Sequence, residues 1–369
     1  MQARTQILKG LTPFEAMEKY EDELTPFEKS ELSTYESIYC IGSYRVNSMK
    51  AIADRDGFYK VKIGEHIGYR YIVDQVIDQG AFGQVVKCID MREGGREVAL
   101  KLSKNKKSET DNAAVEAKLL TKILGKDPDK YCIVKMMDHF YFRKHFVIVF
   151  ELLDMNLYRF IKQPSFTGLK KDHLREIATQ MLHGLAHLSK IKIIHCDLKP
   201  ENVVFTDATR QAVKIIDFGS ACTEFKQGFV YVQSRFYRCP EVVLGLPYDQ
   251  AVDMWSFGCI LAELVTGRPL FPAIDERELL EFFIIRIGHP PEHMIRNCTK
   301  KRTFYDQNLN LIRSSRSRIP KGSKPRCDSV RRALYSEDDD EFIDFIEVSP
   351  NSNLQVYFTI KHYLMSSDV

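Results

Sequence analysis

The chain lacks most of the features that would assign a class at a glance. No C-x-x-C pair occurs, and the nine cysteines are odd in number and scattered from Cys40 to Cys327. That argues against a disulfide framework or a zinc site and for a reducing compartment. There is no long hydrophobic run: the longest, Phe146 to Phe150 and its neighbours, falls far short of the roughly 18 residues a bilayer span needs. The N-terminus is polar where a signal peptide would be apolar. Charge of one sign is missing too, since a net +3 leaves no whole-chain basic excess for bulk nucleic-acid or membrane affinity. These absences lead to the expectation of a soluble protein in the cytoplasm and/or nucleus, without a membrane or nucleic-acid partner. What is present is globular in composition, 369 residues with 44% hydrophobic and 28% charged, enough for one large domain or two to three ordinary ones.

Read in order, residues 1–70 carry two similar pieces, Leu11-Thr-Pro-Phe-Glu15 and Leu24-Thr-Pro-Phe-Glu28. Proline suits a first helical turn and the acid complements its positive end, so each predicts a short helix. A duplicated docking element and a coincidence in a flanking segment both remain open. Gly57-Phe-Tyr-Lys-Val-Lys-Ile-Gly64 alternates and predicts a strand. From Tyr71 a strand, a glycine turn at Gly80 and Gly83, and a second strand follow. The glycines allow backbone to lie over phosphates and Val85 could cover a base, although an ordinary hairpin would read the same and Asp78 stands where a further glycine would be expected. Lys101 lies inside the apolar strand Glu97 to Leu102 and calls for an anionic partner. Glu116, in a run of helix formers, is the candidate. Phe146 to Phe150 is a buried strand running into a polar connection, and His173 to Ser189 has the apolar spacing of a core helix.

The chemistry concentrates in Ile193 to Ser220. Phosphoryl transfer asks for a carboxylate to accept a hydroxyl proton, a cation for the γ-phosphate, and oxygen ligands for magnesium. Asp197, Lys199 and the pair Asn202 and Asp217 supply these in order, in His195-Cys-Asp-Leu-Lys-Pro-Glu-Asn202 and Asp217-Phe-Gly219. His195 is expected to pack rather than carry a proton. These segments resemble the catalytic and metal-binding loops of eukaryotic protein kinases. The resemblance implies an α+β, bilobal kinase fold, with a small β-rich N-lobe (71–153) containing one key helix and a larger, mainly helical C-lobe (154–369). It places the hinge at Glu151 to Asp154, with Phe150 as gatekeeper and backbone groups of Glu151 and Leu153 on adenine. Ile77, Gly80, Gly83, Val85, Ala99 and Lys101 are then further ATP contacts, and Asn202 and Asp217 the Mg2+ ligands.

Further motifs narrow the resemblance. His-Cys-Asp, Ser-x-Cys after Asp-Phe-Gly, and Tyr231-Val-Gln-Ser-Arg235-Phe-Tyr-Arg238 together resemble the dual-specificity tyrosine-regulated kinase family, as do residues 11–75. That implies transfer to Ser and Thr of protein substrates, with autophosphorylation on Tyr231. Arg235 and Arg238 are the expected cations for that phosphate, because Cys196 replaces the catalytic-loop arginine used elsewhere. Residues 300–341 read as a basic-then-acidic insert of low order, and the 313–332 run lacks the aromatics for base stacking. Ser349 to His362 can be laid on the pattern that closes kinase domains, with Asn353 in place of the arginine that pairs with Glu241, and no arginine follows Arg332. A monomer is expected. A pseudokinase scaffold, motivated by Asp78 and Asn353, is the alternative from another class.

Overall fold

The computed structural model describes residues 6–49, 52–80, 83–125, 127–223, 231–320 and 323. The chain divides into two compact units, one of residues up to Asp129 with Val134–Leu153, the other of Lys130–Ile133 with the chain from Asp154 onward.

In the first unit, β1 (Gln6–Leu11) pairs with β2 (Ile38–Ile41) around two short helices, α1 (Pro13–Lys19) and α2 (Pro26–Leu32). Each helix begins at a Thr-Pro-Phe-Glu segment and carries a full capping box, Thr12 with Glu15 and Thr25 with Glu28, so two orphan N–H groups are satisfied reciprocally at each start. Arg143 ties this segment to the main sheet. Its guanidinium is 2.9 Å from Glu31 with a side chain only 1% exposed, and it donates to the Tyr59 hydroxyl at 3.1 Å. Removing one member of such a buried pair typically costs about 3–5 kcal/mol.

The main sheet is antiparallel throughout, in the order β3 (His66–Ile67), β4 (Tyr71–Gln79), β5 (Gly83–Asp90), β6 (Arg96–Ser103), β8 (His145–Glu151), β7 (Met136–Phe142). The period-two pleat sorts its residues. Val73, Val86, Cys88, Val98, Leu100, Leu102, Val147 and Val149 form one core, while Val85, Ala99 and Lys101 take the opposite face. Gly83 is needed sterically: a Cβ there would meet the Leu102 carbonyl oxygen at 2.2 Å. The helix α3 (Lys107–Leu124) buries Glu116, Ala117, Leu120 and Ile123. The expected strand at 57–64 is absent apart from one bridge between Tyr59 and Ala53. Gly57 and Gly64, at φ +92 and +83, turn the chain at both ends, and the N–H groups of Val61 and Lys62 close local turns on Tyr59 and Glu65 instead of joining a ladder.

The second unit is built on two long helices. In α5 (Lys171–Lys190) the stripe Leu174, Ile177, Met181, Leu185, Leu188 is buried. Gly184 lets the helix approach closely, because a Cβ would lie 3.0 Å from Ile215 and 3.2 Å from the Tyr131 carbonyl. Helix α7 (Ala251–Thr266) is an interior helix, with buried residues on all sides including Asp253, Trp255 and Phe257. Around them lie α4 (Leu157–Ile161), β9 (Ile193–Ile194) paired with β12 (Cys222–Thr223), and the hairpin β10 (Val203–Phe205) with β11 (Val213–Ile215). Then come α6 (Pro240–Leu244), α8 (Glu276–Arg286), α9 (Glu292–Asn297) and α10 (Lys301–Phe304).

The low-order expectation fails for residues 300–320. Phe304 and Tyr305 are buried, Arg313 lies 2.9 Å from Glu281, and Arg318 lies 3.1 Å from Glu278, whose side chain is fully buried. The arginines that read as solvated are the counter-ions of two acids on α8. The rest of the insert, apart from Ser323, and the Ser349 to His362 pattern with Asn353 lie outside the described residues.

Glu241, in the first turn of α6, is buried and has no cationic partner among the described residues. Burial pushes its carboxyl up to about 7 from the ordinary 4.5, against its own N–H and the Cys239 thiol, which favour the charged form. The folded protein thus holds a proton that an unfolded glutamate has released, and stability falls as the pH rises through this window. In Glu241→Gln this contribution is gone, so its stability relative to the unsubstituted protein should improve by on the order of 2–3 kcal/mol between pH 4.5 and pH 8. Urea unfolding of both proteins at several pH values checks this, and parallel pH profiles would refute it.

Candidate active site

Two sets of side chains carry the chemistry, one in each unit. In the first, the register of the sheet places Val85 beside Lys101, and Lys101 beside Ile148, with Ala99 beside Phe150 in the neighbouring row. Lys101 Nζ donates to both carboxylate oxygens of Glu116, at 2.8 and 2.9 Å. The acid is 4% exposed and the lysine 20%, so the pair is charge-matched where an isolated ion would be costly. Ile77 sits at an irregularity in β4 between Val76 and Asp78, and Asp78 faces Val85 with its side chain exposed, accepting from the Gln79 N–H. The Gly80 N–H donates to the Gly83 carbonyl at 2.9 Å, closing the hairpin. Glu151 exchanges bonds with Lys135, its N–H to the Lys135 carbonyl and its Oε1 from the Lys135 N–H. Leu153, by contrast, makes no backbone hydrogen bond to any described residue.

In the second unit the catalytic loop hangs from Asp253. Its Oδ2 accepts the His195 N–H at 2.6 Å and its Oδ1 the Cys196 N–H at 3.0 Å. Burial raises the Asp253 carboxyl, while the two N–H groups hold it down. Cys196 is forced to φ +66 and is fully buried, its thiol 3.6 Å from that of Cys222, so this position offers no charge to the activation segment. His195 uses both ring nitrogens. Nδ1 accepts the Asp197 N–H at 3.2 Å, which makes Nε2 the donor to the Ile216 carbonyl at 2.9 Å. Neither nitrogen is left to shuttle a proton, and the ring packs on Phe218 at 4.9 Å.

Asp197 is held at both oxygens, by Lys199 Nζ at 2.6 Å on Oδ2 and by the Ser234 hydroxyl at 2.8 Å on Oδ1, with Lys199 also 3.3 Å from Ser234. Asn202 donates its amide nitrogen to the Asp197 carbonyl at 2.8 Å, which turns Oδ1 into its acceptor atom, and its own carbonyl accepts the Ile216 N–H. Asp217 follows directly at φ +63. No cluster of three or more His, Cys, Asp or Glu ligands occurs among the described residues. A seat of one carboxylate and one amide oxygen fits a hard cation that keeps waters and takes phosphate oxygens, as Mg2+ does.

Of the residues expected to regulate, Tyr231 is 55% exposed and Arg238 stacks on its ring at 3.9 Å. Arg235 instead donates to the Ile274 carbonyl. Lys300, also over the Tyr231 ring at 5.2 Å, was not anticipated. Nor was Ser234, whose only sequence signal is its place inside the Tyr231 to Arg238 motif. Glu201 and Glu263 form a third unanticipated feature. Each has a buried carboxylate oxygen, Oε2 and Oε1 respectively, without a partner among the described residues. Tyr237 donates to the other oxygen of Glu263 at 2.6 Å, and burial, then the neighbouring Glu201, raises the Glu263 carboxyl. The Glu of Pro-Glu-Asn was in view, but nothing in the sequence linked it to a residue 62 positions on.

No described helix is long and apolar enough to cross a membrane. Comparison with known proteins matches residues 71–363 to the protein kinase domain. The human dual specificity tyrosine-phosphorylation-regulated kinase 4 is 44% identical over 305 residues, covering 80% of this chain and 58% of that protein. The DYRK-family kinase pom1 of Schizosaccharomyces pombe is 44% identical over 295 residues, covering 77% and 27%. The dual specificity tyrosine-phosphorylation-regulated kinase mbk-2 of Caenorhabditis elegans is 38% identical over 362 residues, covering 92% and 44%. The chain thus spans between about a quarter and three-fifths of the length of these relatives. With the kinase domain matched over most of the chain and these relatives 38–44% identical across 77–92% of it, the chain belongs to the protein kinase family and, within it, to the dual-specificity tyrosine-phosphorylation-regulated kinases.

Proposed function

We propose that the chain is an ATP- and Mg2+-dependent protein kinase that phosphorylates Ser and Thr of protein substrates and its own Tyr231. The observation that carries this reading is the clamp on Asp197, whose two oxygens are fixed by Lys199 and Ser234. A carboxylate so oriented can accept the proton of a substrate hydroxyl as its oxygen attacks the γ-phosphorus and the bond to the β–γ bridging oxygen breaks. Lys199 stabilises the transferred group's charge. Lys101, aligned by Glu116, holds the α- and β-phosphates, and Leu153 offers backbone groups to adenine. Asn202 and Asp217 would hold the metal, which would supply charge neutralisation for the transferred group. The scaffold alternative gains no support. Asp78 points into solvent on its strand rather than blocking the hairpin, and Lys101 is paired with Glu116.

The unpartnered oxygens of Glu201 and Glu263 support a substrate with an arginine before the acceptor. A guanidinium has the planar donor fork to satisfy both acids, and its positive charge would offset the burial and the Glu201 charge that raise Glu263.

In Asp197→Asn the base is lost while the Lys199 and Ser234 contacts can persist, so turnover on a basic Ser/Thr peptide should fall by at least about 10²-fold with little change in KM. Radiolabelled phosphate transfer measures this, and equal rates in the two proteins would end the enzyme reading. Glu201→Gln should raise KM for a peptide with an upstream arginine by roughly tenfold, one charged contact at about 1.4 kcal/mol. The same peptide with alanine in place of the arginine should be unaffected, and a uniform loss on both peptides would refute the arginine assignment.

A further inference from the structure

Tyr231 lies under two cations that share a single counter-ion. Arg238 is 3.9 Å above its ring and Lys300 5.2 Å. Each is 3.4 Å from the same oxygen, Glu276 Oε1. The two cations differ in how they are held. Arg238 is buried, its Nε and Nη2 committed to the carbonyls of Val232 and Gln233, so only Nη1 is turned toward Glu276. Lys300 is 27% exposed, precedes α10, and has a flexible stem whose ammonium can swing without moving backbone. Arg235, the other expected cation, is engaged by the Ile274 carbonyl.

We infer that Lys300, together with Arg238, forms the seat for a phosphate on Tyr231, and that Glu276 holds these cations in place until the phosphate displaces it. This rests on the proposed autophosphorylation of Tyr231. A tyrosine phosphate carries about −1.5 to −2 charges and three strong acceptor oxygens. It outcompetes one carboxylate oxygen at 3.4 Å, which is at the outer edge of hydrogen-bond reach. Before phosphorylation, two positive charges against one negative leave the site cationic, which draws the phosphate in. Afterwards Glu276 is a like charge beside it and opposes its retention. The two residues therefore act with opposite sign on one modification, and the residue that looked like the start of a solvated basic insert is a positioning residue for the activation segment.

The test is the rate at which a general tyrosine phosphatase removes phosphate from Tyr231 in the purified full chain, followed by phosphopeptide mass spectrometry. Stoichiometry is measured first: absence of phosphate on Tyr231 in the unsubstituted protein overturns the autophosphorylation reading itself. Given phosphate there, Lys300→Ala should accelerate its removal by roughly three- to tenfold, as loss of one partly exposed charge contact would, and Glu276→Gln should slow it. Thermal unfolding of the dephosphorylated variants, expected to match the unsubstituted protein, separates this from general loosening. A Lys300→Ala rate within about twofold of the unsubstituted protein, or acceleration by both variants, overturns the inference.

Discussion

The catalytic loop depends on one buried carboxylate. Asp253 is a carboxyl in the interior of the second unit, where charge on it costs several kcal/mol unless hydrogen bonds compensate. The compensation comes from the N–H groups of His195 and Cys196, so the strain of Cys196 at positive φ is tied to the satisfaction of Asp253. The rest follows from that anchor. With the loop pinned, the Asp197 N–H meets His195 Nδ1, His195 reaches the Ile216 carbonyl, and the Asn202 carbonyl meets the Ile216 N–H. Asp197, the proposed proton acceptor, and Asn202, the proposed metal ligand, are thus parts of one hydrogen-bonded frame. The anchor sits on α7, an interior helix with buried residues on all sides, so it has little freedom to drift.

The first unit solves a similar problem with charge rather than backbone. Lys101 belongs to a strand whose alternate residues, Leu100 and Leu102, are core, and the pleat therefore delivers its ammonium to the other face with Val85 and Ala99 alongside. Glu116 reaches it from a helix whose apolar stripe is packed against the same sheet. Helix placement and lysine orientation are consequently coupled, because a displacement of α3 would strand a half-buried cation.

What could be read in the sequence was what is contiguous in it. The strand, turn and strand from Tyr71, the helix from His173, and the clustered polar residues of 193 to 220 declare themselves through period and spacing. Lys101 and Glu116 could be joined despite their separation because a lysine in an apolar strand demands an anion and only one good helix followed. Ser234, Lys300 and the pair Glu201 and Glu263 could not be found this way. Each is an ordinary polar residue until tertiary packing brings a distant partner beside it. The two misreadings share a cause. At 57–64, alternation predicts a strand, but the flanking glycines let the N–H groups close turns. In 300–320, composition predicts low order, but Arg313 and Arg318 are counter-ions for acids on α8, more than thirty residues away.

Charge matching also shows where the second unit responds to pH. Around Asp197 every oxygen has a donor, and on α8 the buried acids have arginines. Glu241 departs from this. It opens α6, immediately after the segment that Gln233 braces against the Tyr237 and Val252 carbonyls and the Cys239 N–H, and it relies on its own N–H and a thiol. A carboxyl in that setting gains by keeping its proton near neutrality, and ionising it asks the surrounding protein to absorb an unpaired charge. The Gln233 side of this stretch is therefore locked by directional hydrogen bonds that pH does not touch, while its α6 side rests on a group whose protonation changes around pH 7. Loosening with rising pH should begin at α6 and spread toward Gln233, leaving the Asp253 anchor, which draws on backbone donors alone, as the last part of the site to yield.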